Sequence, residues 1–158
     1  MDEGAVDGTR QSGSARVVEL ASIQTHDLRS RILRDGTPTS NLVWPGDDLD
    51  TTLHLGVMID DLAAPVATST WLRQQSPDVP HGIGSQLRGM ATDTGVRGDG
   101  YGSLLLEAGL ARVAHDGADH VWANARSAVL DFYLRHGFVI TSDEFVTPQT
   151  AIAHRRIL

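Results

Sequence analysis

The stretch Arg97-Gly98-Asp99-Gly100-Tyr101-Gly102-Ser103 places glycine at every second position and leads directly into an apolar helical pattern. Glycine adopts positive φ freely and lets the backbone crowd an anion. A helix starting there aims its unsatisfied N–H groups and the positive end of its dipole at the same spot. The chain is thereby constrained to a strand, a phosphate-sized loop and a helix in succession. A dinucleotide fingerprint would require glycine at position 103, which is Ser103, and an early βαβ unit, whereas this loop lies late in the chain. A plain strand-to-helix turn needs one or two glycines, hardly three alternating ones.

The chemistry that can accompany this loop is narrowed by what the chain lacks. Without cysteine there is no disulfide, thiolate nucleophile or cysteine-based metal site, and without lysine there is no P-loop lysine or Schiff-base amine. No His and carboxylate spacing suggests a metal. At 158 residues and 41% hydrophobic content, one folded domain with a real core is expected. The net charge of −7 is carried mainly by residues 1–95, which hold 7 Arg against 13 acidic residues; residues 96–158 hold 6 against 7. An acidic chain without basic clusters argues against nucleic acid as a ligand. The charge suits a cationic amine, and equally serves solubility alone. No apolar run reaches membrane-spanning length and Met1-Asp2-Glu3 does not resemble a signal peptide, so the cytoplasm is the expected compartment.

Residues 1–15, rich in Gly, Ser and Ala, read as a flexible tail, with a single domain over 16–158. Val17 to Leu20 reads as a strand, and Thr25 as the cap of a helix from His26 to Leu33. Residues 37–50 read as a loop. Strands are expected at Leu53–Ile59 and Pro65–Trp71 about a turn at Asp60-Asp61, then a loop from Trp71 to Ser85 and a strand Gln86–Thr92. In the helix after the glycine loop, Leu104, Leu105, Ala108 and Ala111 share a face, Gly109 costs about 1 kcal/mol relative to alanine, and Gly117 marks the C-terminal end. A strand at Asp119–Asn124, a helix capped by Ser127 and running to Arg135, and strands at Phe138–Ile140 and Ala151–Ile157 complete the chain.

Downstream of the loop stand Asn124-Ala125-Arg126 and Asp131-Phe132-Tyr133-Leu134-Arg135-His136-Gly137-Phe138. With both segments in this order, the chain resembles the GCN5-related N-acetyltransferases (GNAT), whose cofactor loop Gln/Arg-x-x-Gly-x-Gly/Ala is met by Arg97, Gly100 and Gly102. The resemblance runs from about Val17 to the C-terminus, and Arg88 to Thr92, Trp122 to Arg126 and Ala153-His154 resemble a bacterial subgroup of the family. It implies an α/β fold with a mixed sheet of about seven strands, helices on both faces, and a splayed parallel pair at the centre formed by the strands ending at Thr92 and Asn124. Acetyl-CoA is the implied cofactor. Its pantetheine arm would pair with Met90, Ala91 and Thr92, and its phosphates would sit on the N–H groups of Arg97, Gly98, Asp99, Gly100, Tyr101, Gly102 and Ser103. Asn124 would hydrogen-bond the cofactor or fix the following helix. Gly89 is compatible with a bulge in the central strand.

The resemblance gives Tyr133 the role of general acid toward the departing CoA sulfur; flanked by Phe132 and Leu134, it also suits plain packing. The position at which many members carry a base glutamate corresponds to Gln86, which is no useful base. His54 and His154, each on an expected strand, are the titratable substitutes, and each is equally readable as a hydrogen-bonded structural residue. Asp47, Asp48 and Asp50 either bind an amine or are simply solvated, and Trp44, Trp71 and the loop 77–84 line the acceptor site by position alone. The expected function is transfer of an acetyl group to a primary amine of a small molecule or peptide by direct attack in a ternary complex. A non-catalytic acyl-CoA-binding or regulatory module is the alternative that the Gln86 departure leaves open. A homodimer is expected by analogy.

Overall fold

The computed structural model describes residues 14–33, 42–60, 62–146 and 152–158. Its strands are β1 (Ala15–Glu19), β2 (Leu53–Ile59), β3 (Ala67–Arg73), β4 (Gly84–Thr92), β5 (His120–Arg126), β6 (Phe145–Val146) and β7 (Ala153–Ile157). They form one seven-stranded sheet in the order β1-β2-β3-β4-β5-β7-β6, antiparallel except for the parallel pair β4–β5. The mixed sheet with a central parallel pair is the architecture the sequence implied. Most of the expected tail lies outside the described residues, as do Asp61, Ala151 and part of the loop 37–50; Ala15 already belongs to β1.

Alternation along the strands divides the sheet into two faces. On one face Leu53, Leu55, Val57, Ala67, Trp71, Leu87, Ala123, Ala125 and Ile157 pack against Leu105, Leu106 and Val113 of α2 (Tyr101–His115) and Tyr133 of α3 (Leu130–Arg135). The buried stripe of α2 is Leu105, Leu106, Gly109 and Val113; Leu104 and Ala111, expected on it, are exposed. The stripe is rotated because Gly109 meets the Trp71 indole, where an added Cβ would stand 2.0 Å from the ring. The glycine that appears costly in the sequence is what admits the largest side chain of this core. Trp71 is therefore a core residue, 1% exposed. Past the end of α2, Gly117 at φ 100° closes the helix as expected.

The opposite face is covered by α1 (His26–Leu28), flanked by a 3-10 turn Ser22–Thr25 and a π-turn Arg29–Leu33, and by residues 42–52. The helix expected over His26–Leu33 thus holds α geometry for only three residues, and its widened end presents Arg29 to the sheet. Thr25 does not cap it; its hydroxyl donates to the Ser22 carbonyl at 2.7 Å. Ser127 opens a 3-10 turn, Ser127–Val129, rather than capping α3. In place of a strand at Phe138–Ile140 there is one bridge, Ile140 to Ile157, beside the paired backbones of Val139 and Leu158. The short β6 occurs instead, on the outer edge of β7.

Candidate active site

The parallel ladder between β4 and β5 ends at Leu87 and Ala123. Beyond that pair β5 continues against β7, with Asn124 opposite Arg156 and Arg126 opposite His154, while β4 stays with β3. Gly89 sits at φ 64°, and the β3–β4 register slips between Thr68 and Thr70, so β4 bulges where it leaves β5. The β5-facing edge of Arg88–Thr92 is left without a strand partner in the sheet, a slot with backbone N–H and C=O groups on one wall.

At the open end of the slot, Asp93 caps the 3-10 turn Thr94–Val96 by accepting from the Gly95 N–H. Gly98 and Gly100 follow at φ 88° and 85°, with nothing within 4 Å of where a Cβ would stand. The glycines are required by backbone conformation rather than by crowding within the chain. The N–H groups of Arg97, Gly98, Gly100, Tyr101, Gly102 and Ser103 have no acceptor among the described residues. The Asp99 N–H is the exception, held by the Val96 carbonyl at 3.2 Å. Four of the six donors, those of Gly100 to Ser103, lie at the N-cap or in the first turn of a fifteen-residue helix, an arrangement that fits a pyrophosphate.

The downstream segment is docked on this loop. An added Cβ on Gly102 would stand 3.5 Å from Phe132 Cζ and 3.6 Å from Thr92 Oγ1, so the first turn of α2 lies between the end of β4 and α3. His136 Nε2 and Ser103 Oγ are 3.0 Å apart and pin the other end of α3. Tyr133 lies edge-on to Phe132 and Phe138 and is 7% exposed. Burial pushes its hydroxyl up to about 12, so it stays protonated at neutral pH. That hydroxyl has no hydrogen-bond partner among the described residues.

Asn124 is exposed on the face that carries Trp122 and Arg126. Arg126 reaches from there to the Leu33 carbonyl at 2.7 Å, tying β5 to the end of the π-turn. His154 shares this face, stacked on Phe145, and its Nδ1 lies 2.7 Å from the Ile152 carbonyl. A carbonyl only accepts, so Nδ1 carries the proton and Nε2 presents a lone pair. His54 differs. Its Nε2 donates to the Asp47 carbonyl at 2.9 Å and its Nδ1 accepts from Thr70 Oγ1 at 2.8 Å, which occupies both nitrogens in a buried site. Gln86 pairs with Trp122 on the closed side of the split.

Beneath the bulge lies a cluster that the sequence did not disclose. Arg29, 0% exposed, donates to Asp47 Oδ2 at 2.6 Å, Asp47 Oδ1 at 3.3 Å, the Leu42 carbonyl and Thr70 Oγ1. Arg88 Nη2 donates to Asp47 Oδ1 at 2.9 Å and to the Pro45 carbonyl. Trp44 lies flat against Arg29, 3.8 Å from guanidinium carbon to ring centroid, and its N–H donates to Asp47 Oδ2. Burial alone would raise the Asp47 carboxyl. Hydrogen bonds from Arg29 and the Trp44 N–H, with the charges of both arginines, outweigh burial and hold it below the ordinary carboxylate range. Asp47 is therefore neither a solvated loop residue nor a binder of amines. The available signal was Trp44-Pro45-Gly46-Asp47: proline followed by a glycine at φ 89°, with the Asp47 N–H on the Trp44 carbonyl, is a tight turn inside the stretch that reads as loop.

A parallel pair that splays over a bulge, with a glycine loop and helix N-terminus at its mouth, defines an acyl-CoA acyltransferase architecture. A sequence model of the acetyltransferase (GNAT) domain matches residues 60–140. The chain is 31% identical over 132 residues to the uncharacterized N-acetyltransferase YitI of Bacillus subtilis (strain 168), covering 83% of this chain and 87% of that protein. In fold it is similar to an acyl-CoA N-acyltransferase from Pseudomonas aeruginosa, with a TM-score of 0.72 at 20% identity over 91% of this chain and 98% of that one. It is likewise similar to Escherichia coli ElaA, with a TM-score of 0.71 at 16% identity over 91% and 99% of the two chains. The protein belongs to the GNAT family of acetyltransferases, an enzyme family. No helix of the described residues is long and apolar enough to cross a membrane.

Proposed function

We propose that the protein transfers an acetyl group from acetyl-CoA to a primary amine of a small molecule or peptide, by direct attack within a ternary complex. The observation that carries this reading is the split of β4 from β5 next to six unclaimed N–H groups of the glycine loop and the first turn of α2. Acetyl-CoA, when bound, supplies an acetyl thioester. Arg97, Gly98 and Gly100–Ser103 hold phosphate oxygens through backbone N–H groups, and the open edge of Met90, Ala91 and Thr92 supports the pantetheine amides as another strand would. Asn124 orients the same arm from β5.

His154 Nε2 takes the proton that the acceptor nitrogen sheds as its bond to the acetyl carbon forms. Tyr133, kept protonated by its burial, donates to the sulfur as the carbon–sulfur bond breaks. His54 serves the buried cluster instead, because its lone pair is already committed to Thr70.

Thiol release on adding amines tests this, with no cysteine in the chain to react with the reagent. The expected result is acceptor-dependent CoA release. Tyr133→Phe should lower kcat about 10²-fold with the KM for acetyl-CoA little changed. His154→Gln should lose activity that returns as pH rises and the amine arrives deprotonated. Unchanged kcat in Tyr133→Phe would remove that residue from the mechanism, and acetyl-CoA binding without release to any amine would favour the non-catalytic alternative.

A further inference from the structure

Two arginines meet at Asp47, and one carboxylate cannot neutralise both. Every oxygen of Asp47 is occupied: Oδ2 by Arg29 and the Trp44 N–H, Oδ1 by Arg29 and Arg88. Arg29 is sealed from solvent, so the surplus charge is expressed at Arg88, whose side chain is 17% exposed. Both hydrogens of Arg88 Nη2 are committed, to Asp47 and to Pro45. Its Nε is buried without a partner, and its Nη1 makes no hydrogen bond among the described residues. A guanidinium carries five N–H donors, so three of the five are unused.

The position of Arg88 gives this surplus a use. It is the first β4 residue beyond the last β4–β5 pair, on the face that carries Asn124, Arg126 and His154. Among the described residues Asp47 alone forms an ion pair with Arg88; Asp78 is held by Arg156 and Thr141, and Asp93 by Arg31. The cofactor's own phosphates belong at the start of α2, and its pantetheine arm is uncharged.

We infer that the acceptor amine carries an anionic group, a carboxylate or a phosphate, which Arg88 binds at the α1 side of the split while Asp47 and Trp44 hold the guanidinium in place. This rests on the transfer reading above and narrows its substrate class. A partly buried cation that lacks a full counter-charge is stabilised by an incoming anion and repels a second cation, so the site discriminates in both directions. The acidity of the whole chain gives no guide here, because the charges beside the split are two arginines, Arg29 and Arg88, on the single carboxylate of Asp47.

The test compares matched acceptors: glycine against glycinamide, and O-phosphoethanolamine against ethanolamine. For the wild-type chain, kcat/KM should favour the anionic member of at least one pair by about tenfold or more, and the favoured pair identifies carboxylate or phosphate. Arg88→Gln should bring that ratio close to one with the KM for acetyl-CoA unchanged, and Arg88→Lys should retain part of it. Arg29 remains on Asp47 in both variants, and Arg88→Lys also keeps a cation beside it, which guards against loss of the fold. Equal rates for charged and neutral amines, or a preference that survives Arg88→Gln, would overturn the inference. Calorimetric titration of the CoA-loaded chain with the same four compounds separates the two readings. Anion binding weakened about tenfold or more in Arg88→Gln, with no acetyl transfer to any amine, would sustain the anion site and sink the transfer reading. Binding indifferent to charge or to Arg88 would sink the anion site alone.

Discussion

On the α2 side of the sheet, Trp71 lies against Gly109 among Leu105, Leu106 and Tyr133; one residue earlier in the same strand, Thr70 accepts from Arg29 and donates to His54. Both faces exclude water, yet one does so with hydrocarbon and the other with a charged network. The apolar face is held by area and shape, which tolerate modest change and fail gradually. The polar face is held by satisfaction of each donor and acceptor, so losing one partner strands the others. The slot opens along the line where the two meet: Gly89 bulges with Trp44 and Arg29 beneath it, while Thr92 and Gly102 border it on the α2 side. The geometry of the slot thus depends on a polar cluster on one side and a packed core on the other.

The largest difference between the faces should come from Asp47→Asn, which leaves two arginines without a counter-charge. A loss of about 3–5 kcal/mol in urea unfolding is expected, and a loss below 1 kcal/mol would show that the cluster is solvated and the contrast unfounded. Because Asp47 titrates below its ordinary range when folded, its contribution is present above the unfolded carboxyl range and is lost as pH falls through the folded value. Wild-type stability should therefore fall on acidification more steeply than that of Asp47→Asn.

On the apolar face the titratable group is Tyr133. Its folded value of about 12 lies above the ordinary 10, so the folded state binds the extra proton between them. That stability is complete below pH 10 and is lost as pH rises through 12, about 2 to 3 kcal/mol in all. With no lysine or cysteine and only two tyrosines, this window is uncluttered. Tyr133→Phe should flatten it in alkaline melts, whereas an unaltered slope would mean that the hydroxyl is hydrated.

Gly109→Ala sets two effects in opposition. Helix propensity favours alanine by about 1 kcal/mol, and overpacking against Trp71 costs about 1–3 kcal/mol. The close approach should prevail, with a net loss of up to about 2 kcal/mol; a gain in thermal stability would mean that the indole yields easily. Smallest in stability is Gly100→Ala, about 1 kcal/mol from the positive φ alone. Its larger effect should be on acetyl-CoA affinity, because the N–H groups around it would turn away from a common point.

The apolar face and the slot were far more legible in sequence than the polar cluster. Short apolar runs and the glycine spacing are local signals, and they place β2, β4, the loop and Gly117. Gly109 was visible only as a cost, since its partner Trp71 lies 38 positions away in the chain. Burial of Arg29 and Asp47 is a property of three elements brought together, and a charged residue reads as exposed until its partners are known. His54 and His154 look alike in sequence; only the neighbours of their ring nitrogens separate them.

The central claim, that the split strands and the unclaimed N–H groups form an acetyl-CoA site, is tested most directly by calorimetric titration of the protein with acetyl-CoA, with NADH as the competing nucleotide. Micromolar binding of acetyl-CoA, about −8 kcal/mol, without binding of NADH is the predicted result. Absence of acetyl-CoA binding, or equal binding of NADH, would contradict it.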